Sequence, residues 1–223
     1  MIAEYHFPTP VYIQDLPNAV ELNNNLENNI LQWQKEDPKG VEKTNVNGWH
    51  SKTDMNRKHE YDPLTRHLFA MQNTIFKKEC LSQKPVLGNM WANINYKGGF
   101  NRPHLHPNSL FSGVYWIKAP KNSGNIMLYD PRPGIHTSMP KRKEGKLPPE
   151  LWREAHYTPR AGTAIMFPAW LWHEVRPNES DGIRISVCIK IIMYQNLLLA
   201  LVHGKTNKFR IPFLVMEILL WKR

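Results

Sequence analysis

Three histidines, an arginine and a serine set the chemistry this chain can do. His104 and His106 are separated by one residue, between Pro103 and Pro107. In a strand, positions i and i+2 project from the same face. The pair can then chelate one cation, and imidazole suits iron, zinc, copper and nickel. Two plainer readings stand beside this one: one histidine binds metal while the other supports it from outside, or both sit at the surface beside prolines. His173 closes the aromatic run Phe167-Pro168-Ala169-Trp170-Leu171-Trp172. A single histidine in such a setting is more often a satisfied core or surface residue. Arg184 and Ser186 follow, with Arg184 eleven residues beyond His173, a separation that lets a β-hairpin place the arginine on the next strand. Arg184 and Ser186 then share a face, and a guanidinium fork beside a hydroxyl suits a bidentate grip on a carboxylate. For the arginine alone, a surface salt bridge is the simpler role. Taken together, these residues describe one site, with a metal held by side chains from an early and a late strand and an acid gripped more deeply.

The elements that must position them change period along the chain. Residues 5–14 alternate loosely and contain two prolines, which suits an edge strand. Asp15 and Pro17 then signal a helix start, and Ala19, Leu22, Leu26, Ile30 and Trp33 define one helical face, ended by Asp37, Pro38 and Gly40. Residues 41–61 are polar and read as loop, anchored by Trp49. Asp62 and Pro63 resemble an N-cap and first helical position, and Leu64, Leu68, Met71 and Ile75 continue at helical spacing. After Pro85 the period becomes two. Residues 90–96, 110–117, 125–129, 164–167 and 183–192 are short β-prone runs separated by Pro and Gly. Strands at this spacing after a helical start predict a β-sandwich or barrel supported by helices. Trp91, Trp116, Trp170 and Trp172 are expected to pack that barrel. The stretch 131–160 is long, basic and proline-rich, a length usually reserved for functional loops, such as a lid or a reader of acidic substrates.

Composition narrows the class. The 223 residues suffice for one domain, with 41% apolar and 22% charged residues. The net charge of +10 permits nucleic-acid binding, but the excess is local, in Lys141, Arg142, Lys143 and Lys146 and in residues 205–223. No basic and aromatic stripe follows one element, so a solvated surface is the expectation and nucleic acid is not. Cys80 and Cys188 are too few for a disulfide framework and suit a reducing compartment. No leader pattern and no long apolar run are visible. A cytoplasmic protein without membrane contact is expected, and a homo-oligomer is allowed. From Asn196 the chain turns apolar and basic without a matching polar face.

With these residues in view, the chain resembles the 2-oxoglutarate–iron(II) oxygenases of marine bacteria and their phages, within the prolyl-hydroxylase-like superfamily. The resemblance runs from about residue 5 to residue 190. Phe7-Pro8-Thr9-Pro10 and Gly48-Trp49-His50-Ser51 carry it at the N-terminal side. Asn101 to Pro107, Ser112-Gly113-Val114-Tyr115, Asp130-Pro131-Arg132, Phe167-Pro168, His173 and Arg184-Ile185-Ser186 carry it in the core. It implies a mainly β, α+β chain with a double-stranded β-helix (jelly roll). An oxygenase domain would span residues 1–192, with helical support over 1–85 and the β-helix over 86–192, followed by an atypical extension over 193–223. It also implies iron(II), 2-oxoglutarate and O2 as working parts, with ascorbate as an optional auxiliary reductant, and a host-cytoplasm location if phage-encoded. Hydroxylation of a protein or amino-acid side chain is the expected reaction class.

On this reading His104, His106 and His173 are the metal ligands and catalytic residues, and Arg184 and Ser186 hold the far carboxylate of 2-oxoglutarate. Tyr115 and Asn93 are candidate hydrogen-bonding partners of the keto acid. The superfamily more often has a carboxylate where His106 stands, which makes Asp130 an alternative ligand, although a turn residue capping a strand end is its simpler role. Two other function classes compete. One is a cupin-like metal protein that uses three histidines without 2-oxoglutarate, and the other is a non-catalytic jelly-roll or virion-associated binding module.

Overall fold

The computed structural model describes residues 1–132, 134, 145 and 147–193. The basic cluster Lys141, Arg142, Lys143 and Lys146, and the extension beyond Met193, lie outside the described residues. The element order is β1 (Tyr12–Asp15), α1 (Ala19–Glu36), β2 (Asn45–His50), α2 (Asp62–Lys78), β3 (Pro85–His104), β4 (Phe111–Lys118), β5 (Ile126–Tyr129), β6 (Glu154–Tyr157), β7 (Thr163–Pro168), β8 (His173–Val175) and β9 (Arg184–Met193). The strands form one sheet in the order β1-β7-β4-β9-β3-β8-β5-β6, with β2 added on β3, and the paired strands run antiparallel. This curled half-barrel is the jelly-roll architecture that the resemblance implies, and a form of the sandwich or barrel expected from the strand spacing. Among the described residues, no helix is long and apolar enough to cross a membrane.

Strand β3 organises the sheet. Its first half, Pro85–Asn95, pairs with β9, while Asn101 and His104 near its end pair with Val175 and His173 of β8. One long strand thus serves both the helix-packed half of the sheet and the end that carries the histidines.

Alternation along the central strands separates two environments. In β9, Ile185, Val187, Ile189 and Ile191 point to one side, as do Met90, Ala92 and Ile94 of β3 and Phe111, Tyr115 and Ile117 of β4. Against them pack Leu26, Ile30 and Trp33 of α1 and Leu64, Leu68, Met71, Ile75 and Phe76 of α2. The other face carries Val114, Trp116, Ile126, Leu128, Ile165 and Phe167 and the polar groups of the site.

Both helices occupy the segments their periodicity predicts, α2 beginning at Asp62 itself rather than after it. The supposed loop 41–61 contains β2. Its polar residues join the sheet through backbone pairing to β3, which needs no apolar pattern. Trp49 does anchor this region: its Nε1 donates to the carbonyl of Asp37 at 2.7 Å, and its ring meets Trp33 edge-on at 5.9 Å. Trp170 and Trp172 do not pack the barrel. They are 53% and 51% exposed, because the tight turn between β7 and β8 buries the alternate residues Ala169, Leu171 and His173.

Ile30 is fully buried between α1 and the sheet. Ile30→Ala is expected to destabilise the protein by about 2–5 kcal/mol through lost burial and a residual cavity, read from the midpoint of denaturant unfolding.

Candidate active site

The sheet face opposite the helices encloses a cavity of about 240 Å³, with His104, His106, His173, Arg184, Ser186 and Asn93 among its lining residues. The pairing register explains how these groups meet. His104 and His173 are cross-strand partners, which places their side chains next to each other. His106 stands two residues beyond the end of β3, its amide held by the carbonyl of Ala169 at 2.9 Å. Ring centroids are 4.3 Å apart for His104 and His173, 4.9 Å for His104 and His106, and 5.0 Å for His106 and His173. One nitrogen from each imidazole lies within 4.8 Å of the other two, and among the described residues these three form the group that could hold a metal ion.

The tautomers suit a metal. His104 Nδ1 faces the carbonyl of Arg102 at 2.7 Å and His173 Nδ1 faces that of Leu171 at 2.8 Å. A carbonyl only accepts, so each Nδ1 carries the proton and each Nε2 keeps its lone pair. Burial first, and then the neighbouring imidazoles, hold His106 down to about 2 and His173 down to about 3. His104 is lowered as well, chiefly by burial. All three are therefore neutral at physiological pH, the form that binds a cation.

Arg184 is 1% exposed. Its Nη1 donates to the carbonyls of Ser123, Gly124 and Arg176, whereas its Nη2 is buried with no partner among the described residues. Burial pulls its pKa down to about 10, so the guanidinium remains charged near neutrality. A buried cation facing no carboxylate is costly unless an anion joins it. Gly124 makes the carbonyl cradle possible: at φ +87°, a Cβ there would come within 2.2 Å of the Arg176 carbonyl oxygen. Ser186 shares the cavity face with Arg184, and Asn93, directly opposite Ser186 on β3, has a buried Oδ1 without a partner among the described residues. The donor set fits a divalent ion with an acid beside it, through three convergent lone pairs and a deeper unpaired guanidinium.

Two expected site residues lie elsewhere. Tyr115 faces the helix side of β4, where its hydroxyl donates to Asn23 Oδ1 at 2.6 Å; the period of two that puts Val114 and Trp116 in the cavity turns Tyr115 away. Asp130 is not in the histidine cluster. Its carboxylate accepts from the Arg132 backbone amide, Nε and Nη2 at 3.0, 2.9 and 2.6 Å, which is the turn-capping role. The expected hairpin between His173 and Arg184 is also absent, since β3 runs between β8 and β9 and pairs with both. Among the lining residues that the sequence reading did not assign to the site are Trp91, Asn95, Cys188 and Lys190. Extending the two-residue alternation forward from Arg184 and Ser186 would have reached Cys188 and Lys190.

Comparison with known proteins places the core. Residues 89–190 match the family described as "Putative 2OG-Fe(II) oxygenase". No curated protein matches the chain. Among solved structures, a Pseudomonas putida prolyl-4-hydroxylase is similar at a TM-score of 0.59 and 16% identity, over 82% of this chain and 91% of that one. A Trichoplax adhaerens prolyl hydroxylase in complex with a hypoxia-inducible-factor peptide fragment gives 0.60 and 10%, over 85% and 86%. HygX from Streptomyces hygroscopicus, with nickel and 2-oxoglutarate bound, gives 0.55 and 8%, over 82% of each chain. At these identities the likeness speaks for the fold.

Two outcomes test the site. In metal-free protein, the depressed histidines leave the unfolded chain, with histidines near 6.5, binding more protons than the folded one. Stability is expected to fall as pH drops from about 6.5 toward 3, and His106→Gln should flatten that slope in thermal melts. Gly124→Ala is expected to lower the melting temperature and weaken 2-oxoglutarate binding together, because it displaces the carbonyls that hold Arg184. Residues 89–190 match the 2OG-Fe(II) oxygenase family, and the sheet around them has the jelly-roll fold of the similar structures.

Proposed function

We propose that this chain is a 2-oxoglutarate-dependent iron(II) oxygenase, and a hydroxylase, in which His104, His106 and His173 hold the iron and Arg184 with Ser186 grips the far carboxylate of 2-oxoglutarate. The observation that carries the reading is the buried, unpaired Nη2 of Arg184 in the same cavity as three converging imidazoles. When bound, iron(II) and 2-oxoglutarate supply the reductive activation of O2, coupled to conversion of the keto acid to succinate and CO2 and to oxidation of a substrate C–H bond.

The chain's own residues prepare that chemistry. The carbonyls of Arg102 and Leu171 fix two imidazole tautomers and so aim their lone pairs. Arg184 supplies the counter-charge that orients a dicarboxylic acid, and the carbonyl cradle stops the guanidinium from rotating. Val114, Trp116, Ile126, Phe167 and Val175 wall the cavity with apolar surface, which keeps water from the reacting atoms. Asn93, opposite Ser186, offers an amide to the same ligand.

For the substrate, we favour a side chain of a protein or amino acid, as the prolyl hydroxylases among the similar structures act on such groups. We assign residues 1–192 to the oxygenase domain and residues 193–223 to an extension. The two cysteines are free, in keeping with the cytoplasm as the site of action.

Full-length protein supplied with iron(II), O2 and 2-oxoglutarate is expected to form succinate, and His173→Ala to abolish it. Arg184→Met is expected to raise the 2-oxoglutarate dissociation constant at least about tenfold, since it removes a buried charge partner, while metal binding persists. A folded, iron-loaded protein that turns over no keto acid would sink the reading, and metal binding without keto-acid affinity would favour the cupin-like alternative.

A further inference from the structure

Arg184, Ser186, Cys188 and Lys190 occupy one face of β9 and all line the cavity. At the rise of a strand, Lys190 stands roughly 20 Å along β9 from Arg184. A five-carbon keto acid held at Arg184 and the histidines does not span that distance. Lys190 belongs to the other end of the cavity, with Lys43, His50, Thr53, Asn89 and Trp91. Lys43 and Thr53 are exposed, whereas Arg184, Ser186 and Asn95 are buried, so this end opens to solvent and is where a substrate arrives.

Its charge is one-sided. Lys43, Lys190 and Arg184 line the cavity, and no aspartate or glutamate does among the described residues. Lys190 is half-buried, takes part in no ion pair among the described residues, and its Nζ lies 5.9 Å from the centroid of the Trp91 ring. Trp91 also meets His106 edge-on at 5.9 Å and stacks on His50 at 5.5 Å. It forms a floor reaching from the histidine cluster to the lysine. Burial, then Lys43, lowers the Lys190 pKa, and burial holds His50 neutral, with its Nδ1 at 2.6 Å from the Ser51 carbonyl. With the far carboxylate of 2-oxoglutarate on Arg184, no aspartate or glutamate among the described lining residues is left to meet Lys190 or Lys43. A partly desolvated ammonium in that position gains most from an anion.

We propose that the open end of this cavity is a carboxylate-binding subsite, in which Lys190, assisted by Lys43, anchors an acidic amino-acid or peptide substrate beside the histidine cluster. This rests on the oxygenase reading and names the substrate class for it.

The test uses full-length protein loaded with zinc and N-oxalylglycine, an unreactive 2-oxoglutarate analogue that fills the Arg184 end. Blocked tripeptides Ala-Glu-Ala and Ala-Gln-Ala are titrated at millimolar concentration and followed by tryptophan fluorescence and calorimetry. The glutamyl peptide is expected to bind about tenfold tighter, as one partly buried ion pair allows. The preference should vanish in Lys190→Met and return in Lys190→Arg, with N-oxalylglycine affinity unchanged in both. Lys43→Met should weaken the preference, and it provides the same comparison if Lys190→Met does not fold. Equal or undetectable binding of the two peptides, or a preference that survives Lys190→Met, overturns the proposal. Loss of N-oxalylglycine binding in Lys190→Met also overturns it, by moving the lysine into the keto-acid site. Failure of wild-type protein to bind N-oxalylglycine at all would instead strike the oxygenase reading beneath it.

Discussion

The site depends on a charge taken out of water without a carboxylate to meet it. Arg184 is sequestered at the start of β9, three carbonyls occupy one of its nitrogens, and Nη2 is buried with no partner among the described residues. Carbonyl dipoles hold a guanidinium in place but do not neutralise it. The fold therefore carries a standing demand for an anion at a fixed depth below the histidines. The left-handed Gly124, the close approach of the Arg176 carbonyl and the alternation of β9 all serve to keep that charge where it is. In the proposed site, chelation at one end and ion pairing at the other would select a molecule with two acidic ends.

The same sheet has to solve two problems at once, and a period of two lets it do so. On one side of β9, four aliphatic residues close against two helices; on the other, a charged, a hydroxyl, a thiol and an ammonium side chain face a cavity. The helices never touch the chemistry, yet they hold rigid the strands that carry it. Tyr115 illustrates the rule from the wrong side: one residue away from Val114 and Trp116, it spends its hydroxyl on Asn23 of α1 and contributes to packing.

Much of this was legible in the residues, and the exceptions have physical reasons. The two helices and the principal strands follow from apolar spacing, because burial on one face dictates the pattern. The His104–His106 pair, His173, Arg184 and Ser186 were legible from type and spacing. β2 was not, since a strand that joins a sheet through backbone hydrogen bonds and buries only Trp49 and His50 at its end leaves little periodic trace. The misplacing of Tyr115 came from not carrying the alternation through β4 from a residue of known direction. Expecting a hairpin between His173 and Arg184 overlooked that strands adjacent in sequence can be separated by a third, and no local pattern encodes that. Trp170 and Trp172 were misjudged because hydrophobic size argues for burial, whereas turn geometry decides which of two alternating sets is turned inward.

His106 differs from its two partners in how it is held. His104 and His173 sit on paired strands, their rings tethered at Nδ1, whereas His106 lies past the strand end on one backbone hydrogen bond, its ring wedged against Trp91. In the proposed triad this makes a chelate with two clamped arms and one sprung arm. Such a chelate adapts to ions of different radius, so preference among divalent cations would rest on donor softness and metal supply more than on a rigid aperture.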